Sequence, residues 1–200
     1  MPRIRALSPE ESPENSEIWA RFAGYYGGNP PNSMLTMARV PGLVAAFSEL
    51  TSVCIRRPGA VPTDLKWLVA HMASRGAGCR YCSAHTLHNG SKNGVSQEKL
   101  DAIWFYERSP LFSSAERAAL SLALAAGQNM VSDADFEALR PHFDDRQLAE
   151  IVSVIALFGF LNRWNDTVGT ALEPAALEFA DEQQLTSKGW DVGPHADAAE

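Results

Sequence analysis

The chain has 200 residues, 46% of them apolar, and a formal net charge of −7. That length fits one domain, or two small halves packed together, with apolar material for a full core. The acidic balance, with no basic block beyond the pair Arg56-Arg57, has the wrong sign for a nucleic acid or an anionic membrane as partner.

The start, Met1-Pro2-Arg3-Ile4-Arg5, shows no apolar stretch of a signal peptide. The longest apolar run, Ile151 to Leu161, includes Ser153 and Gly159 and is too short to span a bilayer. Three cysteines are no disulfide scaffold in a chain of this size. The expectation is a cytoplasmic protein with one redox-active pair and a spare thiol, Cys54, that serves packing.

In chain order, residues 1–17 are rich in Pro, Ser and Glu and are expected to pack loosely. Ile18 to Phe22 reads as a short amphipathic segment, and Gly27 to Asn32 as a loop. Apolar positions from Leu35 to Leu50 suggest helix interrupted near Pro41, and Arg56-Arg57-Pro58-Gly59 is a second break. Thr63 and Asp64 open a helix to about Ser74, with Leu65, Leu68, Val69 and Met72 in helical period. Gly76-Ala77-Gly78 ends it, and a new helix begins at Cys79 and ends near Asn89-Gly90.

Beyond it, Ser96 caps a helix, and Ser113 with Glu116 forms a capping box for one that runs to about Ala126. Ser132-Asp133 starts a short helix stopped by Pro141. Asp144-Asp145 opens the longest, to Trp164, and a last amphipathic stretch covers about 172–183. The tail from Ser187 reads as flexible. No segment alternates as a strand does, and no period of a solenoid is present, so the fold class is all-α, one domain over 1–200.

The chemistry concentrates in Cys79-Arg80-Tyr81-Cys82-Ser83-Ala84-His85-Thr86-Leu87-His88. A spacing of three places the cysteines one turn apart on the same side of a helix, where the sulfurs can meet as a disulfide or share a substrate. The positive end of the helix favours a thiolate at Cys79.

Cys79 to Thr86, after a glycine-rich break on an all-α frame, resembles the carboxymuconolactone decarboxylase-like superfamily, in particular its alkylhydroperoxidase D-like branch. Leu157 to Thr167 and Ser114 to Leu120 are similar to that branch too, so the resemblance covers about residues 35–170. It implies a compact helical homo-oligomer, a trimer or hexamer, that reduces hydroperoxides. In that family the second cysteine attacks the peroxide, the first resolves it, and a dithiol donor protein recycles the pair. Carried over, Cys82 is peroxidatic and Cys79 resolving, with no bound cofactor and no metal. The family's glutamate twelve residues before the first cysteine is Trp67 here, and the histidine four after the second is Thr86. Both departures fall on the proton relay.

On a helical wheel of ~100° per residue, Thr86 falls between the cysteines, His85 about 60° from Cys82, and His88 opposite Cys79. His85 is therefore the candidate base, Thr86 a hydrogen-bond donor to sulfur, and His88 a surface or interface residue. His71, on the preceding helix, is a core histidine or a relay member. Asn162 and Asp166 share a face of the long helix and either join helices or polarise the thiol pocket in place of the missing glutamate. A zinc site is the sharper alternative. Cys79, Cys82, His85 and His88 nevertheless climb about 13 Å along a straight helix, too far for ligands at ~2.0–2.3 Å from one ion. Two further alternatives are a lyase acting on a carboxylated lactone and a non-catalytic redox sensor on the same frame.

Overall fold

The structure is a computed structural model that describes residues 2–22 and 28–196. It is all-α: α1 Ser16–Phe22, α2 Asn32–Met37, α3 Leu43–Thr51, α4 Thr63–Gly76, α5 Arg80–Lys92, α6 Gln97–Ala102, α7 Ser114–Gly127, α8 Asp133–Leu139, α9 Asp145–Val168 and α10 Pro174–Glu182. No strand occurs among the described residues. A π-turn, Ser52–Arg56, continues α3 and buries Cys54. Gly27 of the expected loop, Met1, and residues 197–200 of the expected tail lie outside the described residues.

The local signals act as the sequence implies. Ser113 and Glu116 form their reciprocal cap on α7, and Asp144 with Gln147 does the same on α9. Each pairing satisfies backbone N–H groups that the first helical turn leaves open. Gly169, in the left-handed region at φ 66°, ends α9.

α4 is the central element. It packs on α7, α5 and α9 and carries Leu68, Val69, Ala70 and Met72 almost fully buried. Its C-terminal end touches α7 backbone to backbone. A Cβ on Gly76 would lie 2.3 Å from the Leu124 carbonyl, and one on Gly127 would lie 2.3 Å from the Ala73 carbonyl. This contact fixes where α4 stops. Gly78, at φ +75°, then turns the chain, and the Cys79 N–H returns to the Ser74 carbonyl at 3.0 Å. α5 therefore starts at a set point beside the end of α4.

Both chain ends depart from expectation. The first residues do not pack loosely: the Arg3 N–H donates to the Val168 carbonyl at 2.7 Å, and the Leu7 N–H to Leu35 at 3.2 Å. Trp19 is buried and its indole donates to Ser12. Nor is the tail flexible through residue 196. Trp190 donates its indole N–H to the Arg80 carbonyl at 3.0 Å, and His195 is 1% exposed. Apolar and hydrogen-bonded anchors outweigh the polar composition of both segments. Of the aromatic run Trp104-Phe105-Tyr106, Tyr106 is buried, Trp104 lies under the Arg75 guanidinium, and Phe105 is exposed.

Gly127→Ala tests the α4–α7 contact. Alanine in a helix gains up to ~1 kcal/mol over glycine in propensity, whereas overpacking typically costs ~1–3 kcal/mol. Because the new Cβ would meet backbone rather than a movable side chain, a net loss is expected as a lower urea midpoint. An unchanged or raised midpoint contradicts the close approach.

Candidate active site

α5 positions the thiols. Cys79 is its N-cap, with φ −77° and ψ 105°, and its sulfur accepts the Cys82 N–H at 3.5 Å. Having left the helix, Cys79 does not follow the wheel, so the two sulfurs face different surroundings. Cys82 lines a cavity of about 510 Å³ together with Tyr81, His85, Thr86, Asn89 and Asn165. The rest of its wall includes Met34, Phe47, Ile55, Trp67, Phe158 and Leu161. Cys79 is absent from that wall. Its sulfur, an oxygen of Asp166 and a nitrogen of His195 lie within 4.8 Å of one another. All three cysteines are free thiols.

The expected Cys79 thiolate is corrected. Its thiol is pushed far above the ordinary range, first by its hydrogen bond to the Cys82 sulfur, then by burial and by the charges of Cys82 and Asp166; the Cys82 N–H opposes this. These neighbours favour the thiol form of Cys79, and of the two sulfurs only that of Cys82 lines the cavity. The Asn165 amide donates to the Cys82 sulfur at 3.4 Å. A single turn of helix dipole is outweighed here by direct neighbours at short range.

Glu173 organises the cavity wall. It is the N-cap of α10, yet its carboxylate turns inward instead of capping its own helix, and it is 4% exposed. One oxygen accepts from the Tyr81 hydroxyl at 2.7 Å and from the Asn32 N–H at 2.5 Å, and the other pairs with His85 Nε2 at 2.5 Å. Burial raises the Glu173 carboxyl, but the His85 charge and the hydrogen bonds from His85, Asn32 and Tyr81 outweigh it, and the net shift is downward. Burial and the Glu173 charge hold the Tyr81 phenol protonated. The Tyr81 ring leans on His85, with centroids 4.4 Å apart. A carboxylate-oriented imidazole thus lines one cavity together with a thiol.

The other expected residues fall in different places. Thr86 does not donate to a sulfur; its hydroxyl lies 2.8 Å from the Cys82 carbonyl and 3.0 Å from that of Ser83. His71 Nδ1 faces the Ser83 carbonyl and the Thr86 hydroxyl, and burial, then Arg75, lowers its pKa to about 3. That histidine is a neutral core residue behind α5. His88 is not on the surface: it is buried and stacks on Phe179 at 5.0 Å, and burial, then Lys92 and His85, bring its pKa to about 4. Asn162 is buried with its side-chain oxygen unpartnered, while its neighbour Asn165 reaches the sulfur. Asp166 pairs with His195. The four groups of the zinc alternative do not converge, since His85 turns to Glu173 and His88 to Phe179. Trp67, where the family has its glutamate, is part of the cavity wall and meets Phe158 edge-on at 6.4 Å.

Glu173, Asn165 and His195 are the residues that sequence reasoning missed. Glu173 precedes Pro174, and Glu-Pro signals only a helix start. Asn165 stands in the polar cluster of α9, but a face shared with Asp166 diverts attention to Asn162. His195 sits in a stretch whose composition reads as tail.

Glu173→Gln separates charge from shape. The Glu173 carboxyl lies below its ordinary value of 4.5, so its contribution to stability is present above ~4.5 and is lost as pH falls through the folded value. Weakening the acceptor of buried hydrogen-bond donors costs ~1–3 kcal/mol. The variant is expected to unfold at markedly lower urea than the parent at pH 7, and the gap should narrow below about pH 4.5. A gap that stays constant with pH contradicts an ionised Glu173 in the folded protein.

The Carboxymuconolactone decarboxylase family profile matches residues 41–125. The chain is 29% identical over 132 residues to the uncharacterized protein YnjA of Escherichia coli (strain K12), an alignment that spans 65% of this chain and 72% of YnjA. It is 31% identical to the debrominase Bmp8 in its apo form, with a TM-score of 0.82 over 90% of this chain and 97% of Bmp8. A cysteine-to-alanine variant of Bmp8 in complex with 2,3,4-tribromopyrrole gives 30% identity and a TM-score of 0.82 over 90% and 96%. The alkylhydroperoxidase AhpD core of a peroxidase-related protein from Ralstonia eutropha JMP134 shares the fold at 22% identity, with a TM-score of 0.76 over 90% and 95%. Among the described residues no helix is long and apolar enough to cross a membrane. With its all-α frame and its cysteine pair at the start of α5, the chain belongs to the carboxymuconolactone decarboxylase-like superfamily, on the alkylhydroperoxidase D-like frame.

Proposed function

We propose that the protein is a two-cysteine reductase of organic hydroperoxides, with Cys82 as nucleophile and Cys79 as resolving thiol. The observation that carries this reading is the division of the pair. Cys82 opens on the 510 Å³ cavity beside His85 and Glu173, while Cys79 is buried away from the cavity as a thiol.

His85, oriented by Glu173, takes the Cys82 proton. The thiolate attacks one peroxide oxygen, the O–O bond breaks, and the alcohol leaves with that proton, so that Cys82 becomes a sulfenic acid. The Cys79 sulfur then attacks the Cys82 sulfur, the S–O bond breaks, Cys79 gives up its proton, and the departing hydroxide takes up a proton from solvent in the cavity and leaves as water. A dithiol donor protein reduces the resulting disulfide and is itself oxidised. The cavity volume lies in the ~300–1,000 Å³ range of small-molecule sites, and its apolar wall selects an organic hydroperoxide over hydrogen peroxide. The Glu173–His85 pair supplies the relay that Trp67 and Thr86 cannot.

A second reading is favoured by the 30–31% identity to a debrominase over 90% of this chain. The Cys82 thiolate would attack the halogen of a halogenated aromatic ring, the carbon–halogen bond would break, and the ring carbon would take a proton. Cys79 would then displace halide from Cys82, which closes the same disulfide. The aromatic cavity wall, Phe47, Trp67 and Phe158, suits such a ring.

Thiol titration before and after one equivalent of organic hydroperoxide or halopyrrole, with the linked peptides mapped by mass spectrometry, separates the readings. Loss of two thiols with hydroperoxide and a Cys79–Cys82 link is expected. Cys82→Ser should abolish consumption, and Cys79→Ser should leave a sulfenic acid on Cys82. His85→Ala should slow the reaction by ~10²–10⁴-fold, and Thr86→Ala by far less. Halide release without hydroperoxide turnover favours the second reading, and thiols inert to both reagents contradict the two-cysteine chemistry.

A further inference from the structure

His85 and Glu173 serve the cavity that holds Cys82, but Cys79 is outside that cavity, and both readings require it to lose a proton when the disulfide closes. The Cys82 sulfur, burial and the Asp166 charge all hold that proton on Cys79. A second acid–base pair lies on this side. Asp166, near the end of α9, accepts from His195 Nε2 at 3.1 Å. His195 Nδ1 donates to the Thr170 carbonyl at 2.8 Å. Both ring nitrogens thus lie against oxygens, which fixes the ring between Thr170 and Asp166. The His195 side chain is 1% exposed and that of Asp166 40%. Asp166 also lines a second cavity of about 540 Å³ with Ala73, Ala77, Gly127, Gly159 and Asn162. The carboxylate therefore spans from the buried thiol to a water-accessible groove.

We propose that Asp166 is the base for Cys79 and that His195 is the positioning residue that holds it there, so that each sulfur of the pair has its own acid–base partner. The proposal rests on the two-cysteine reading. When Cys82 carries a leaving group, the Cys79 S–H bond breaks, its proton passes to the Asp166 carboxylate, and the sulfur lone pair forms the S–S bond as the leaving group departs. Transfer to Asp166 also cancels the negative charge that opposes the Cys79 thiolate, so proton movement and sulfur activation assist each other. The Asp166 proton then leaves through the second cavity. The other charged or titratable groups on this side are Cys82 from α5, Arg163 in the second cavity, and Arg3, which donates to the backbone carbonyls of Asp166 and Thr167. Arg80 at the start of α5 pairs with Asp191, and His71 of α4 faces Ser83 and Thr86.

An aryl disulfide with a coloured thiol leaving group tests this without the natural substrate. The full chain releases one equivalent when Cys82 is derivatised and a second when Cys79 closes the disulfide. The first phase reads the two-cysteine chemistry, and the second reads the base. Asp166→Asn should slow the second phase ~10²–10⁴-fold at pH 7, the usual range of a general base, and so lower the ratio of second-phase to first-phase rate. In this variant the second phase should rise about tenfold per pH unit, because hydroxide must then supply the thiolate. Asp166→Glu should restore much of the rate, and His195→Gln should slow the second phase by a smaller factor. If Asp166 acts only as a negative charge beside Cys79, its removal makes the thiolate easier to form and the second phase becomes faster. That result, or an unchanged second phase, overturns the proposal. A parent protein with no first phase removes the two-cysteine reading and the proposal with it.

Discussion

A carboxylate with 4% exposure survives in a helical core only if donors surround it, and Glu173 has three: the Asn32 N–H at the start of α2, the Tyr81 hydroxyl and His85 Nε2. These donors come from parts of the chain far apart in sequence. One residue therefore ties α2, α5 and the start of α10 together and sets the orientation of the imidazole in the Cys82 cavity. The loop before α10 is held by the same cluster, since the Asn32 side-chain amide donates to the Ala171 carbonyl at 3.0 Å. Local stability and the state of the site are thus one problem of charge compensation.

The sulfur pair follows from a second constraint, the way α4 ends. Gly76 and Gly127 bring two helix backbones into contact, and Gly78 turns the chain so that Cys79 becomes an N-cap rather than the first residue of a helix. Two chemically identical side chains one turn apart then have unlike environments. Cys82 meets an apolar cavity, an amide donor from Asn165 and the His85 side; Cys79 meets Asp166 and His195. The proposed division of labour between nucleophile and resolving thiol would need such an asymmetry, and the backbone places the two sulfurs in unlike surroundings.

Helical periodicity, the capping box Ser113–Glu116 and the glycine breaks made the all-α fold and most element boundaries legible in the sequence. The thiol motif and its family resemblance were legible for the same reason, since they are local. The relay was not. Trp67 and Thr86 show only that the family's glutamate and histidine are missing from their places, and the carboxylate that pairs with His85 stands 88 residues away. No local pattern distinguishes Glu173 from an ordinary residue before a helix-starting proline. The chain ends were misread because composition is blind to a few strong anchors, namely Trp19 on Ser12, Trp190 on the Arg80 carbonyl and His195 between Thr170 and Asp166. The wheel failed at Cys79 because it assumes helical backbone where the structure has an extended cap.

The central claim is that Cys82, not Cys79, is the reactive sulfur of the reduced protein. Alkylation with a limiting amount of a small iodoacetamide at pH 7, followed by peptide mapping of all three cysteines, tests it directly. The account predicts that Cys82 is labelled first, through the cavity, while Cys79 and Cys54 stay unmodified. Earlier or equal labelling of Cys79 would contradict it.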